Sequence, residues 1–443
     1  MLEFIREKAK GKRIIILGFG LEGQSTLKYL LTKKENFKEL IISDFNVQVL
    51  NHSLIKEHQI ICFVGDKYQK LIDKDDFIIK SPGIKLEPHL QLLESHSQTS
   101  LFLERYQSQI IGITGTKGKS TTSTMMYQIL KEQDKQAFLV GNIGQPAFDM
   151  IDKMKADSLI VYELSAHQLQ CVSHGPRFAI LLNLMPEHLD FFETIENYYL
   201  AKCQIFNQQS KESFRYIAHS CSHVTDKLGI KQKQKQNFTK IENYILYDQD
   251  RAILKENDLQ FLLGHHHIEN IQALVELVLF MGLDLSQALN SIRQFHPLPH
   301  RQELLGEKNG IRFINDSIST IPQSAIQAVK AIEKVDVLIL GGLDRGVDYS
   351  ELVAFLAKES FKKVYFLGKA GERVKKELLD KQLEVQFKYS WNEKLQDIRN
   401  ELLKIENSTV LLSPAAASYD AFKNFEERGD YFREVFLEIC EKK

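Results

Sequence analysis

Residues 110–125 read IIGITGTKGKSTTSTM. An apolar run over Gln109–Ile113 predicts a strand, the glycines after it predict a turn, and a helix is expected to start near Lys119. Successive backbone N–H groups in such a turn point inward and form a nest for an anion, and the following helix adds its positive N-terminal end. Glycines keep side chains out of the way of phosphate oxygens and permit positive φ. Lys119 can reach the β- and γ-phosphates of a nucleoside triphosphate, and the Ser120 hydroxyl can ligate Mg²⁺. The spacing departs from G-x-x-x-x-G-K-[ST], since its first glycine falls on Ile113 while the glycines stand at 112, 115 and 118.

The same rhythm extends outward. RIIILGFG (13–20), ELIISDFN (39–46), DFIIKSPG (76–83), SLIVYELS (158–165), FAILLNL (178–184), VDVLILGG (335–342), KVYFLGKAG (363–371) and STVLLSP (408–414) are short apolar runs, each followed by a helical pattern. Unbroken apolar strands alternating with helices indicate an α/β protein with parallel sheets covered on both faces. Ligands of such sheets sit beyond the carboxyl ends of the strands. A chain of 443 residues exceeds one core. Boundaries near 92–93 and at the proline-interrupted RQFHPLPHR (293–301) give domains 1–92, 93–296 and 297–443.

Composition narrows the function. Hydrophobic residues make up 43% and charged residues 26%, and the net charge is -1, so no global field favours nucleic acid or an anionic membrane. The basic stretch GIKQKQKQNFTK (229–240) is read as a solvated loop, with nucleic-acid binding the lesser alternative. Five scattered cysteines without a CxxC pair argue against a disulfide framework or zinc ribbon and fit a reducing cytoplasm. The charges in MLEFIREKAKGKR come too early for a signal peptide, and no apolar stretch is long enough to span a bilayer.

Two further residues belong beside the phosphate turn. Glu163 ends the strand in YELS, and His188 follows another strand in NLMPEHLDFF. Singly, each could be an exposed charge or a turn-capping histidine; at the same sheet edge as a phosphate loop, metal ligation is the better reading. The N-terminal domain carries a second phosphate signal, Gly18-Phe19-Gly20-Leu21-Glu22-Gly23, with Asp44 ending the next strand. This is a Rossmann-like pattern, so a nicotinamide oxidoreductase must be considered. The turn recognises a diphosphate and the acid a ribose hydroxyl, which a uridine diphosphate sugar also offers.

GITGTKGKST, GNIG (141–144), YELSAHQL, NLMPEHLDFF with YYLAK (198–202), LPHR (298–301), NDS (315–317), GGLDRG (341–346) and LLSPAAASYDAFKNFEERG (411–429) together resemble the Mur ligases, most nearly the members that add glutamate to UDP-N-acetylmuramoyl-L-alanine. The resemblance implies an N-terminal Rossmann-like domain for the UDP-muramoyl group, a central P-loop-type ATPase with a mostly parallel sheet, and a C-terminal Rossmann-like domain for the amino acid. It implies an ATP- and Mg²⁺-dependent amide ligase of peptidoglycan synthesis, cytoplasmic and monomeric, working through an acyl phosphate. Its partners are UDP-N-acetylmuramoyl-L-alanine, glutamate and ATP.

Residue by residue, the resemblance assigns Gly115, Thr116, Lys117, Gly118, Lys119, Ser120 and Thr121 to the ATP loop, with Asn270, Arg301 and Asp316 as further nucleotide contacts. Ser120 and Glu163 match one magnesium site; His188 and Lys202, the latter carbamylated in the family, match the second. Lys119, Glu163, His188 and Lys202 thus form the catalytic set. A carbamate turns an ammonium into a carboxylate-like ligand, whereas a helical lysine is otherwise a solvated cation by default. Gly18, Phe19, Asp44, Ser81, Pro82, Gly83, Asn142 and Ser165 match the UDP-muramoyl contacts. Thr320, Arg345, Ser418 and Phe425 match positions around the glutamate carboxylates; Arg345 stands where some members have lysine, and a guanidinium can grip a carboxylate with two hydrogen bonds.

Two departures stand out. GHHHIEN (264–270) puts His267 where the family usually has asparagine; adjacent residues of a helix point in different directions, so a helix start or nucleotide contact is expected rather than a metal cluster. NDSISTIPQSA carries Ile318 in place of the family's lysine and Pro322 shortly after it. This resembles a divergent branch, some members of which add L-glutamate, so both enantiomers stay open. Other Mur-type ligases, an oxidoreductase built on GxGxxG, and a non-catalytic nucleotide-dependent scaffold are the rivals; the DNPR-type signature of diamino-acid ligases is absent.

Overall fold

The computed structural model describes residues 1–441 apart from 33–36, 143–144, 231–237, 260–261, 263–265, 297–298, 309, 333 and 382–384. The chain forms two compact units, one of Met1–Lys255 with Ile268–Ile292, the other of Glu256–His267 with Arg293–Lys443.

Among the described residues the first unit holds three sheets. Strands β1 (Ile14–Leu17), β2 (Leu40–Asp44), β3 (Ile61–Val64), β4 (Phe77–Lys80) and β5 (Ser95–His96) form a parallel sheet in the order β3-β2-β1-β4-β5. β1 reads IIIL and is buried at all four positions, as a strand covered on both faces must be. Chain order reverses between β1 and β4, and the GFGLEG turn leaves β1 there while Ser81-Pro82-Gly83 leaves β4. Such a switch point opens a crevice at the carboxyl ends of the strands.

The second sheet is β6 (Ile110–Thr114), β7 (Ala137–Gly141), β8 (Leu159–Glu163), β9 (Phe178–Leu181) and β10 (Phe214–Ile217), parallel throughout in the order β10-β9-β6-β8-β7. β6 is central, and β8 and β9 flank it. The segments carrying Glu163 and His188 therefore leave the sheet on either side of the phosphate turn, as the sequence suggested. The helix Lys119–Glu132 starts at the expected lysine.

Strands β11 (Thr239–Glu242), β12 (Ile245–Asp248) and β13 (Arg251–Lys255) make a small antiparallel sheet. This corrects the reading of 229–240 as loop to its end: Thr239 and Lys240 begin β11, and 231–237 lie outside the described residues. The cause is long-range. The Glu276 carboxylate, on the helix His266–Phe280, accepts from Phe238 N at 3.1 Å, Thr239 N at 2.7 Å and Thr239 Oγ1 at 2.6 Å. His267 lies in the first turn of that helix, as expected, while 264–265 lie outside the described residues.

The second unit is built on β14 (Glu303–Lys308), β15 (Ile311–Asn315), β16 (Val337–Gly341), β17 (Ser360–Leu367), β18 (Gln386–Asn392) and β19 (Thr409–Leu412), in the order β14-β15-β19-β16-β17-β18. Only the edge strand β14 runs antiparallel among these described strands. Period-two alternation splits β16 between two cores. Leu338 and Leu340 pack with Ala325, Leu352 and Val374 on one face, and Val337 and Ile339 with Phe432, Val435 and Ile398 on the other. Helices cover both faces, so this sheet too is doubly wound. Among the described residues no helix is long and apolar enough to cross a membrane.

Candidate active site

The phosphate turn is held from outside itself. Thr116 N donates to Asn183 O at 3.0 Å and Lys117 N to Asn183 Oδ1 at 2.7 Å, while Asn183 Nδ2 returns a bond to Lys117 O at 3.0 Å. Thr116 Oγ1 and Met185 exchange a hydroxyl-to-carbonyl bond of 3.2 Å and an amide-to-hydroxyl bond of 3.0 Å. The 183–185 segment, which leads from β9 to His188, is thereby stitched to the turn. Gly118 has φ +79°, and a Cβ there would come within 2.6 Å of Asn270 Nδ2, so the expected nucleotide residue Asn270 lies directly against the turn. Glycine is required at 118 on both counts.

Three lysines gather at this turn. Lys119 Nζ donates to Gly115 O at 3.0 Å and Thr116 O at 2.9 Å. Lys117 Nζ pairs with Glu187 Oε1 at 2.7 Å. Lys202 is 1% exposed, and its Nζ donates to Gly115 O at 2.8 Å and lies 4.7 Å from the centroid of the Tyr198 ring. Burial, reinforced by the Lys119 charge, holds the Lys202 amine well below the ordinary lysine range. Lys202 is thus not the solvated lysine of the default reading. His188, on the other side of a contact with Tyr198, has φ +56° and a half-exposed ring, 5.0 Å centroid to centroid from His167 and 6.0 Å from Tyr198.

Glu163 is fully buried. Its Oε1 accepts from Asn142 Nδ2 at 2.9 Å, and its Oε2 is enclosed with no hydrogen-bond partner among the described residues. A buried carboxylate oxygen left open at the edge of a phosphate turn fits an oxygen-seeking dication. Among the described residues no three His, Cys, Asp or Glu side chains form a metal cage by themselves. That suits Mg²⁺, which commonly takes one or two protein ligands and fills its shell with phosphate oxygens and water. Ser120, 5% exposed in the first turn of its helix, and Thr121 complete the loop.

A polar relay leads from here to the N-terminal sheet. Gln168 Oε1 accepts from Ser165 N at 3.0 Å, which fixes the amide, and Gln168 Nε2 donates to Glu22 Oε1 at 2.8 Å within the GFGLEG turn. Around that turn Phe19 N donates to Asp44 Oδ2 at 2.6 Å, and Ser81 Oγ to Gly18 O at 2.9 Å. Asp44 therefore shapes the turn with one oxygen, and its other accepts from Asn46 N at 2.7 Å. Pro82 and Gly83 continue the turn from Ser81.

In the second unit Thr320, Arg345 and Ser418 lie on loops that follow β15, β16 and β19, and Phe425 opens the helix Phe425–Glu441. Ala415 N bonds Ser319 O at 2.8 Å and Leu343 N bonds Ala417 O at 2.9 Å, which draws together the loops bearing Thr320, Arg345 and Ser418. Phe425 O accepts from Ser317 Oγ at 2.8 Å. Ser418 is buried, Arg345 exposed, and Thr320 and Phe425 intermediate. Asp316 is buried and accepts from Ser413 Oγ at 2.7 Å and Gln302 N at 3.1 Å, next in sequence to Arg301. Burial pushes its carboxyl up to about 6, against the pull of the Ser319 and Ser413 hydroxyls.

Asn183, Gln168, Lys80 and Arg428 escaped the sequence reading. Asn183 offered a faint signal, an amide directly after the apolar run FAILL. Arg428 is 3% exposed and ties Ser317 Oγ, Ser317 O and Ala416 O together at 2.9–3.1 Å.

Comparison with known proteins is decisive at this point. The chain is 32% identical to the UDP-N-acetylmuramoylalanine--D-glutamate ligase of Elusimicrobium minutum, over 98% of this chain and 100% of that protein. It is 30% identical to the ligase of the same name from Caldicellulosiruptor bescii, over 97% and 98%. The chain belongs to the Mur ligase family. The pattern of the Mur ligase middle domain matches residues 113–278 of this Mur ligase, and that of the MurD-like N-terminal domain residues 12–98. Its fold is similar to that of UDP-N-acetylmuramate-alanine ligase MurC from Thermotoga maritima, with a TM-score of 0.53 at 17% identity, covering 97% of this chain and 99% of that one. MurF from Acinetobacter baumannii gives a TM-score of 0.53 at 14% identity, covering 100% and 99%. The three-domain α/β architecture read from the sequence is that of this family.

Proposed function

We propose that this Mur ligase joins D-glutamate to UDP-N-acetylmuramoyl-L-alanine with ATP, in cytoplasmic synthesis of peptidoglycan precursors. The observation that carries the reading is the match, over nearly the whole chain, to ligases that share one name and one amino acid.

A carboxylate is a poor electrophile, because its charge repels nucleophiles and oxide leaves badly. Transfer of the γ-phosphoryl group onto the alanyl carboxylate removes both obstacles, and the glutamate amine then displaces phosphate. Gly115, Thr116, Lys117, Gly118, Lys119, Ser120 and Thr121 hold the phosphates, with Lys119 leaving its two carbonyl partners for the phosphate oxygens. Ser120 and Glu163 would hold one Mg²⁺, and His188 with a carbamylated Lys202 a second. Bound there, the ions would neutralise charge on the transferring group. A depressed amine pKa favours the neutral Lys202 that reaction with carbon dioxide requires. Asn142 and Ser165 position the muramoyl-alanine end, and Gly18, Phe19, Asp44, Ser81, Pro82 and Gly83 the uridine diphosphate. Thr320, Arg345, Ser418 and Phe425 are assigned to the glutamate carboxylates, and Asn270, Arg301 and Asp316 to the nucleotide.

One observation favours L-glutamate as a second reading. Ile318 replaces the family's lysine, and its backbone N–H is taken by His300 O at 3.1 Å. Phosphate release measured with UDP-N-acetylmuramoyl-L-alanine and each enantiomer separates the two. Turnover with D-glutamate alone supports the first reading, and turnover with L-glutamate alone replaces it by the second.

A further inference from the structure

Lys80 ends β4 with 5% of its surface exposed, in a position where an apolar residue would bury at less cost. Its Nζ donates to three carbonyl oxygens of the following turn: Ser81 O at 3.4 Å, Pro82 O at 3.2 Å and Ile84 O at 2.9 Å. An ammonium carries three N–H donors, and three acceptors consume them, so none is left for a ligand. Among the described residues no carboxylate forms an ion pair with it. Glu22, in the GFGLEG turn and held there by Gln168, lies nearby.

The turn that Lys80 gathers is in contact with the other nucleotide turn. Ser81 Oγ bonds Gly18 O, and a Cβ on Gly18 would stand 2.8 Å from Ser81 Cβ. Without the ammonium, three carbonyls would lose their common donor, and the 81–84 backbone would be free to turn them elsewhere. The grip on residues 81–84 is therefore transmitted to residues 18–23.

We propose that Lys80 is a positioning residue for the sugar nucleotide: by collecting the carbonyls of Ser81, Pro82 and Ile84 on one buried ammonium, it fixes the turn that receives the uridine diphosphate and locks it to the GFGLEG turn. The inference rests on the placement of UDP-N-acetylmuramoyl-L-alanine given above. Lys80 acts through backbone it organises and touches no substrate.

The test is steady-state kinetics of the full-length enzyme with Lys80→Met, which keeps the length and loses the donors, and Lys80→Gln, which keeps two N–H groups. KM for UDP-N-acetylmuramoyl-L-alanine should rise about tenfold in the methionine variant and less in the glutamine variant, with kcat and the KM values for ATP and glutamate unchanged, as for lost uniform binding. A purely structural lysine would lower the melting temperature without ordering KM by donor number. If Lys80→Met does not fold, Lys80→Gln carries the comparison. Unchanged KM in a folded variant, or a parallel rise for all three substrates, overturns the inference alone. Wild-type enzyme that shows no saturation by the UDP-linked acid overturns the proposed function, and the inference with it.

Discussion

The Asn183 side chain brackets Lys117 by both of its backbone groups: its Oδ1 accepts from Lys117 N at 2.7 Å and its Nδ2 donates to Lys117 O at 3.0 Å. Lys117 sits mid-turn, so these two bonds set the direction in which the neighbouring N–H groups face. Two intramolecular hydrogen bonds are together worth about 1–3 kcal/mol. Asn183→Ala should raise KM for ATP about tenfold while leaving KM for the UDP-linked acid near its wild-type value. Initial rates at varied ATP check this, and an unchanged KM for ATP would mean that the turn holds its shape without the bracket.

Lys202 lies against the same turn, buried and with its Nζ 2.8 Å from Gly115 O. If its proposed carbamate supplies a carboxylate to the metal site, Lys202→Ala should lose activity by about three orders of magnitude, the scale of a lost charge-stabilising group. Acetate or propionate at high concentration should restore a measurable part of it. An inactive variant that short acids do not rescue would assign Lys202 to packing or to the turn alone.

Asp316 gives a pH dependence whose sign is fixed by burial. Its carboxyl is raised from an ordinary 3.8 to about 6 in the folded chain, so the fold favours the neutral acid. The associated stability is fully present below the unfolded value and is lost as pH rises through the folded one. Across this window of about 2 pH units the loss amounts to about 3 kcal/mol. Urea unfolding between pH 4 and 7 should show a downward slope for wild type that Asp316→Asn flattens. Identical slopes would contradict a raised Asp316.

Much of this architecture was legible because buried parallel strands are written as unbroken apolar runs. All nine apolar runs named from the sequence are strands, including VLILG at β16, and Lys119 opens its helix as its glycine turn implied. Some of the strands that escaped are half-exposed, such as ICFV at β3 and QFKYSWN at β18. β11 escaped because its partner is Glu276, far along the chain. The residues assigned to ligands fall inside motifs and could be named. Those that hold the motifs in place could not. Asn183 acts on the Lys117 backbone and Gln168 on the Glu22 side chain, partners brought near only by the fold, while Lys80 collects carbonyls one, two and four residues further on, which a lysine at the end of an apolar run does not announce.

The central claim is that the γ-phosphoryl group of ATP passes to the carboxylate of the UDP-linked acid before the amine attacks. UDP-N-acetylmuramoyl-L-alanine carrying ¹⁸O in its alanyl carboxylate, turned over with ATP and D-glutamate, tests it directly. The bridging oxygen of an acyl phosphate leaves with phosphorus, so one ¹⁸O should appear in each phosphate released. Phosphate free of ¹⁸O alongside formed amide would contradict the account.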